Sequence, residues 1–315
     1  MSGILAKNIL STVAYYDALD YPMTAFEIWK YLINDQRTMN NNQDGGNKNY
    51  SLSDVTSELE KEETKKYLGE FQGFYFLHSR ENLVGERIEK NKISQSKLKK
   101  ARRIVFWLRA VPFVKMIAVA GRVGAKTAKK GSDIDLLIVF QHGKIFTGRF
   151  LATALIHFFG RRRYKNKIAN RICLNHFLSD EFSVSMQDLY SSHSYVFLTV
   201  LYGGKFFRKF LEKNEWLKNY RPNFSFLESD AKEIRESWLF EGIRKILEIF
   251  LAPLWIEKKM KNWQTKKIER NPLTEKIGGV IIYSDFELAF WPDFSNQGPK
   301  VFEKFQENLE KLNYE

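Results

Sequence analysis

The sequence predicts a mixed α/β protein of α+β character: a mixed sheet with flanking helices, set between a helical N-terminal part and a mostly helical C-terminal part. Three observations predict it. Ile117–Val139 (IAVAGRVGAKTAKKGSDIDLLIV) reads as an apolar strand, a Gly turn, a short basic helix and a second apolar strand. The first 85 residues read as three helices followed by a β-hairpin, and beyond residue 186 apolar residues recur mainly at helical spacing. The implied division is 1–85, a linker helix 86–111, a core 112–185 and a mainly helical part 186–315.

In the first part, Ile4–Leu19 carries apolar residues at helical spacing, and Tyr21-Pro22-Met23-Thr24 stops it. Thr24 is placed to cap a second helix, Ala25–Ile33. The Asn/Gly-rich stretch Asp35–Tyr50 reads as a loop. Ser51 or Ser53 then caps a third helix, Asp54–Tyr67, and Gly73–His78 and Asn82–Val84 read as two short strands around Ser79-Arg80-Glu81. Three helices and a hairpin make a winged-helix-like pattern, which suggests DNA binding. The third helix carries Asp54, Glu58, Glu60, Glu62 and Glu63 against three lysines, the wrong bias for a polyanion, so a structural or partner-docking role is favoured.

The linker helix Lys90–Arg103 continues through Phe106, Trp107 and Leu108 and halts before Pro112, where the core starts. In the core, Asp133 and Asp135 lie two apart on one strand, so both carboxylates share a face, anchored by Ile134 and the Leu136–Val139 run. Two such charges repel unless a cation sits between them. Paired carboxylates on a rigid strand suit Mg²⁺, which takes one or two of them plus substrate phosphates. The Gly121–Val123 turn (Gly121, Arg122, Val123) opens a short helix whose free N–H groups suit phosphate, with Lys126 beside it. Together these parts can hold a metal–triphosphate.

This stretch resembles the nucleotidyltransferase superfamily, typified by DNA polymerase beta, poly(A) polymerases, CCA-adding enzymes and aminoglycoside nucleotidyltransferases. The resemblance rests on Ala120-Gly121-Arg122, then Ser132-Asp133-Ile134-Asp135-Leu136 at a spacing that family allows. It implies Asp133 and Asp135 as catalytic metal ligands, for two Mg²⁺ ions, and an NTP as substrate held by Gly121, Arg122, Val123, Lys126, Ser132 and Asn175. Arg122 departs from the usual Ser or Gly, either replacing a phosphate contact as a cation or obstructing the site. A third acidic residue is expected on the strand after the next helix (Lys144–Gly160), namely Arg171–Leu178, but Asn175 occupies the candidate position, with Asp180 and Glu181 just beyond. His176 is expected on the opposite face, in a structural role. Cys173-Leu174-Asn175-His176-Phe177-Leu178 also resembles the corresponding strand of bacterial nucleotidyltransferases that carry an N-terminal winged-helix-like segment.

The net charge of +13 is concentrated: Lys144–Arg171 holds eight basic residues and no acidic one. Its Arg161-Arg162-Arg163 run marks RNA or DNA as a candidate partner beside the NTP site. One cysteine, Cys173, excludes a disulfide framework and a multi-cysteine zinc site and reads as a small buried hydrophobe. The longest apolar stretch, Ile145–Phe159, is too short to span a bilayer and contains Arg149 and His157, so a cytoplasmic protein with no membrane partner is expected. The sequence carries no signal for oligomeric state.

In the last part, Gln187–Leu201 reads as a helix ending at Gly203-Gly204, followed by Lys205–Asn219 and a break at Pro222. Ser229–Lys267 gives one or two helices interrupted at Pro253, whose Trp238, Trp255 and Trp263 read as core. A strand, Gly279–Tyr283, and a closing helix, Gly298–Leu312, complete it. By resemblance, this part forms one wall of the cleft and selects the acceptor. The expected function is Mg²⁺-dependent transfer of a nucleoside monophosphate from an NTP to an acceptor hydroxyl, RNA or tRNA among the candidates, with release of pyrophosphate. The competing expectation is a non-catalytic nucleic-acid-binding or regulatory module on the same fold.

Overall fold

The computed structural model describes residues 3–34, 49–226 and 233–312. Most of the expected Asp35–Tyr50 loop lies outside them. Helix α1 (Ile4–Ala18) is buried along nearly its whole length. A short strand β1 (Met23–Thr24) leads into α2 (Ala25–Lys30), where Thr24 and Glu27 form the reciprocal capping box that fixes the helix start. Ser51 does the same with Asp54 for α3 (Leu52–Leu59). The expected helix to Tyr67 breaks at Glu60-Lys61 into α3 and a single turn, α4 (Glu62–Lys65).

The hairpin falls earlier than the sequence suggests. Strands β2 (Leu68–Phe71) and β3 (Phe74–Leu77) pair antiparallel across Gln72-Gly73, both with positive φ (54° and 75°), as a two-residue hairpin of this hand requires. Strand β1 adds to β3, giving the sheet order β1-β3-β2. Asn82–Val84, expected as a strand, is instead the first turn of a 27-residue helix, α5 (Asn82–Leu108).

A second, six-stranded sheet positions the candidate site. It contains β4 (Val114–Val119), then after the single turn α6 (Gly121–Gly124) β5 (Ile134–Phe140), and after α7 (Ile145–Phe158) β6 (Ile172–Ser179). Helix α8 (Leu189–Val196) ends sooner than expected, because Thr199–Tyr202 forms strand β7. Then come α9 (Gly204–Lys213), α10 (Leu217–Tyr220), α11 (Trp238–Leu251) and α12 (Leu254–Glu269), broken at Pro253 as expected. Strands β8 (Val280–Tyr283) and β9 (Glu287–Trp291) precede the last described helix, α13 (Gly298–Lys311). The strand order is β7-β4-β5-β6-β9-β8, with only β5 and β6 parallel, so the sheet is mixed and residues 186–315 contribute three of its strands.

Period-two alternation splits the sheet's apolar residues between two layers. Ile117, Val119, Leu136, Ile138, Phe140 and Phe177 pack under α5 and α7, whereas Met116, Ala118, Leu137, Val139 and Leu178 pack toward α8 and α9. The N-terminal part is tied in by α13: Phe305, Leu309 and Leu312 join the core of α1, and Asn308 donates to the Ala14 carbonyl at 3.0 Å and to Asp17 at 3.2 Å. Among the described residues no helix is long and apolar enough to cross a membrane. Trp238, Trp255 and Trp263, expected in the core, are exposed. Helix α11 turns most of its apolar residues outward, whereas α12 packs Met260 and Ile268 inward and meets solvent largely through lysines.

Candidate functional site

Asp133 ends the turn that precedes β5 and Asp135 is its second residue, so both project from one end of the sheet on one face. The turn is tethered from beneath by buried Lys97 of α5, whose Nζ donates to the carbonyls of Lys130 (3.0 Å) and Ser132 (2.8 Å) and to Asn170 Oδ1 (3.1 Å). The Ser132 hydroxyl accepts the Lys129 N–H at 3.0 Å, closing the same turn. Lys97, which sequence reasoning passed over, and Ser132, expected at the nucleotide and lining the cleft, therefore set where Asp133 sits.

Gly121 is required at its position on two counts. Its φ of +57° is strained for any L side chain, and an added Cβ would run into Oδ2 of Asp135. The turn and the acidic strand thus meet directly, as the spacing implies. Val123 is fully buried and presents only backbone. Arg122 lines the cleft, and its charge lowers the Asp135 pKa. Lys126 differs from expectation. It sits with φ +59° at the end of the turn, its carbonyl accepts from Arg87, and it is not among the cleft-lining residues. The α6 turn spans four residues, too few to concentrate a helix dipole.

The parallel pairing of β5 with β6 brings up the opposite wall. Asp135 pairs with Cys173, but Leu137 pairs with His176, so β6 carries one extra residue between them. This bulge lets Asn175 donate to Asp135 Oδ1 at 3.2 Å. It also corrects the expected orientation of His176, which lines the same cleft and hydrogen-bonds buried Glu287 of β9 at 2.9 Å. Asp180 and Glu181, the alternative acidic residues, follow the far end of β6, beside Phe140. The strand carries Asp180 roughly 20 Å from Cys173, so neither can join the pair. Asp180 instead accepts the His142 N–H at 2.7 Å.

Cys173 is the residue the sequence reading undervalued. Asp133, Asp135 and Cys173 offer three ligand atoms that all lie within 4.8 Å of one another. The signal was present: Cys173 is two residues before Asn175 on the same strand. Burial, and then the neighbouring Asp133, pushes the Asp135 carboxyl up to about 7, against lowering by a Cys173 hydrogen bond, Arg163 and Arg122. Burial and the two aspartates hold the Cys173 thiol above its usual range. Of the basic run only Arg163 reaches this centre. Its Nη1 bonds Asp133 Oδ2 at 2.7 Å and lies 3.7 Å from Cys173 Sγ, whereas Arg161 and Arg162 are exposed, and the backbone of this run pairs with Ile172.

These residues stand at the floor of a cleft of about 1000 Å³. Its far wall comes from α8, the Phe290–Gln297 segment and α13, which adds Lys300 and Lys304; Tyr190 lines it as well. Arg122, Lys129, Arg163 and Lys300 give the cleft a cationic rim around the acidic pair, while Lys304 is held by Asp20 at 3.1 Å. Lys300 and Lys304 had no sequence signal, since only the packing of α13 on α1 brings them there. No family model matches this chain, and neither a curated protein nor a solved structure does.

Proposed function

We propose that the protein is a divalent-metal-dependent nucleotidyltransferase with the nucleotidyltransferase fold, and that its first three helices and hairpin form a winged-helix-like unit. The observation that carries this reading is the meeting of Gly121 and Asp135 at the floor of a cationic cleft wide enough for a nucleotide and an acceptor. A buried carboxyl raised toward neutrality beside a second carboxylate is a centre that a cation stabilises. The donor set fits a metal: Asp133 and Asp135 would hold Mg²⁺, with Cys173 adjoining. Among the described residues no third carboxylate joins them, so the pair supports one ion, and the second expected ion has no carboxylate of its own. When bound, the ion would supply charge stabilisation at the transferring phosphate.

The chain's own residues do the rest. Arg122, Lys129 and Lys300 face the cleft and offset the charge of a triphosphate. Arg163 pairs with Asp133 at 2.7 Å and holds it in place until a cation replaces it. Asn175 fixes one oxygen of Asp135, leaving the other toward Gly121. An acceptor hydroxyl placed in line with the α-phosphate then displaces pyrophosphate. A non-catalytic nucleotide-binding role is favoured by one specific observation, the neutral Asn175 and Cys173 where further acidic ligands would stand. Calorimetry with Mg²⁺ or Mn²⁺ and each NTP tests binding, which should vanish in Asp133→Ala. Transfer from α-labelled NTP to total RNA or protein then separates the readings. Metal-independent NTP binding that survives Asp133→Ala overturns the catalytic reading, and the absence of any NTP binding overturns both.

A further inference from the structure

We propose that the outward face of α11 and α12 is a docking surface for an anionic lipid bilayer, a reading independent of the nucleotidyl-transfer assignment. Helix α11 meets the body through a mixed side: Phe240 packs on Phe106 and Leu251 on the sheet core, Arg244 donates to the Tyr202 hydroxyl and to the Arg109 carbonyl (3.3 Å), and Glu248 accepts the Phe113 N–H at 2.7 Å. At about 100° per residue, Trp238, Leu239, Ile243, Ile246, Ile249 and Phe250 fall on the opposite half. All six are exposed, Trp238, Ile249 and Phe250 at 84%, 72% and 73%. None of the helix's residues is buried. Apolar surface of this extent on water is unfavourable unless something covers it.

Helix α12 continues the face. Glu257 accepts the N–H groups of Phe146 (2.8 Å) and Thr147 (2.9 Å), and Gln264 bonds Arg149 (2.6 Å), fixing its inward side. Its outward side presents Leu254 and Trp255 with Lys258, Lys259 and Lys266, and none of these lysines has an ion-pair partner among the described residues. At its other end the patch runs through ring contacts from Phe240 to Trp107 (5.9 Å) and Phe159 (5.7 Å), and on to exposed Phe158. Arg161 and Arg162, which the cleft leaves unused, follow just beyond Gly160.

Tryptophan, branched aliphatics and lysine on one face are the composition of an interfacial helix, whose rings enter the headgroup layer while lysines meet anionic lipid. At 14 residues α11 is too short to span a bilayer, so it would lie on one. A second copy fits worse. An isologous dimer sets the patch against itself, and the outward half from Trp238 to Trp263 holds lysines and no acid. Nucleic acid gains nothing from Ile243, Ile246 and Ile249.

Flotation with phosphatidylcholine vesicles, with and without phosphatidylglycerol, tests this. The intact protein should float with the anionic vesicles and lose binding as salt rises. Each lysine beside such a surface contributes about fivefold, so K258A/K259A should weaken binding roughly thirtyfold. I249E/F250E should weaken it at least about a hundredfold, with an unchanged far-UV spectrum because both side chains are exposed. Sedimentation velocity supplies the counter-result. A dimer that I249E/F250E turns into monomer, with no vesicle binding, would assign the face to a second copy and overturn the proposal. Failure to bind anionic vesicles as a monomer, or binding indifferent to I249E/F250E, overturns it equally.

Discussion

Replacing His193 by Phe should make the protein less sensitive to acid by an amount that follows from one titration. His193 lies on α8 in the cleft wall, packed against Tyr15, Tyr16 and Phe197. Burial first, and then the charge of Arg221, lowers its pKa to about 3. In the unfolded chain it titrates near its ordinary value of about 6.5. Between these values the unfolded state holds a proton that the folded state does not, so stability present above about pH 6.5 is lost as pH falls. At about pH 5 the loss is close to 1.5 units, or about 2 kcal/mol, whatever the folded value is, provided it lies well below 5. His193→Phe abolishes the loss. Relative to the wild type, its Tm at about pH 5 should therefore gain roughly 4 °C over the difference measured at about pH 8. The comparison between the two pH values removes the packing change and every other titrating group. Thermal scans by near-UV circular dichroism provide the assay. A Tm difference that does not vary with pH would refute the reasoning and mean that His193 takes up its proton in the folded protein.

Gly121→Ala should cost at least about 2 kcal/mol, from a left-handed backbone and a clash with Asp135; urea unfolding measures it, and metal binding by calorimetry should fall with it. Arg163→Ala removes the competitor for Asp133 Oδ2 and should raise nucleotide-free Mn²⁺ affinity about two- to fivefold, an effect absent if the metal does not use Asp133. Arg122→Ser should weaken NTP binding about tenfold if the guanidinium faces the phosphates, and tighter binding would identify Arg122 as an obstruction.

The centre of the fold was legible because its signals are local. Apolar runs of strand length flank Gly121, and aspartate is rare enough in strands for Asp133 and Asp135 to stand out. Short buried strands were less legible: Thr199–Tyr202 continues the apolar run of α8, and periodicity cannot separate the two. The hairpin was misplaced because Gln72-Gly73 lacks the Asn or Asp that usually announces such a turn. Asp180 looked near the pair along the chain, but the strand direction carries it to the other end of the sheet. Lys300 and Lys304 reach the cleft only through tertiary closure, which no window of sequence contains. The tryptophans of α11 and α12 show a different limit. Periodicity reveals that a helix has an apolar face, not what lies against it.

The seat of α13 on α1 sets the order in which the protein can be made. Helix α1 buries nearly every residue, much of it against Phe305, Leu309 and Asn308, and the same α13 supplies Lys300 and Lys304 to the cleft. A ribosome adds about 5–20 residues per second, so α1 emerges roughly 15–60 s before its partner helix exists. During that interval its apolar side is a natural client for chaperones, and the cleft lacks a wall. Nascent chains arrested before residue 298 should therefore be substrate-incompetent however well their sheet has formed. The cleft acquires this wall late, when α13 folds back onto α1.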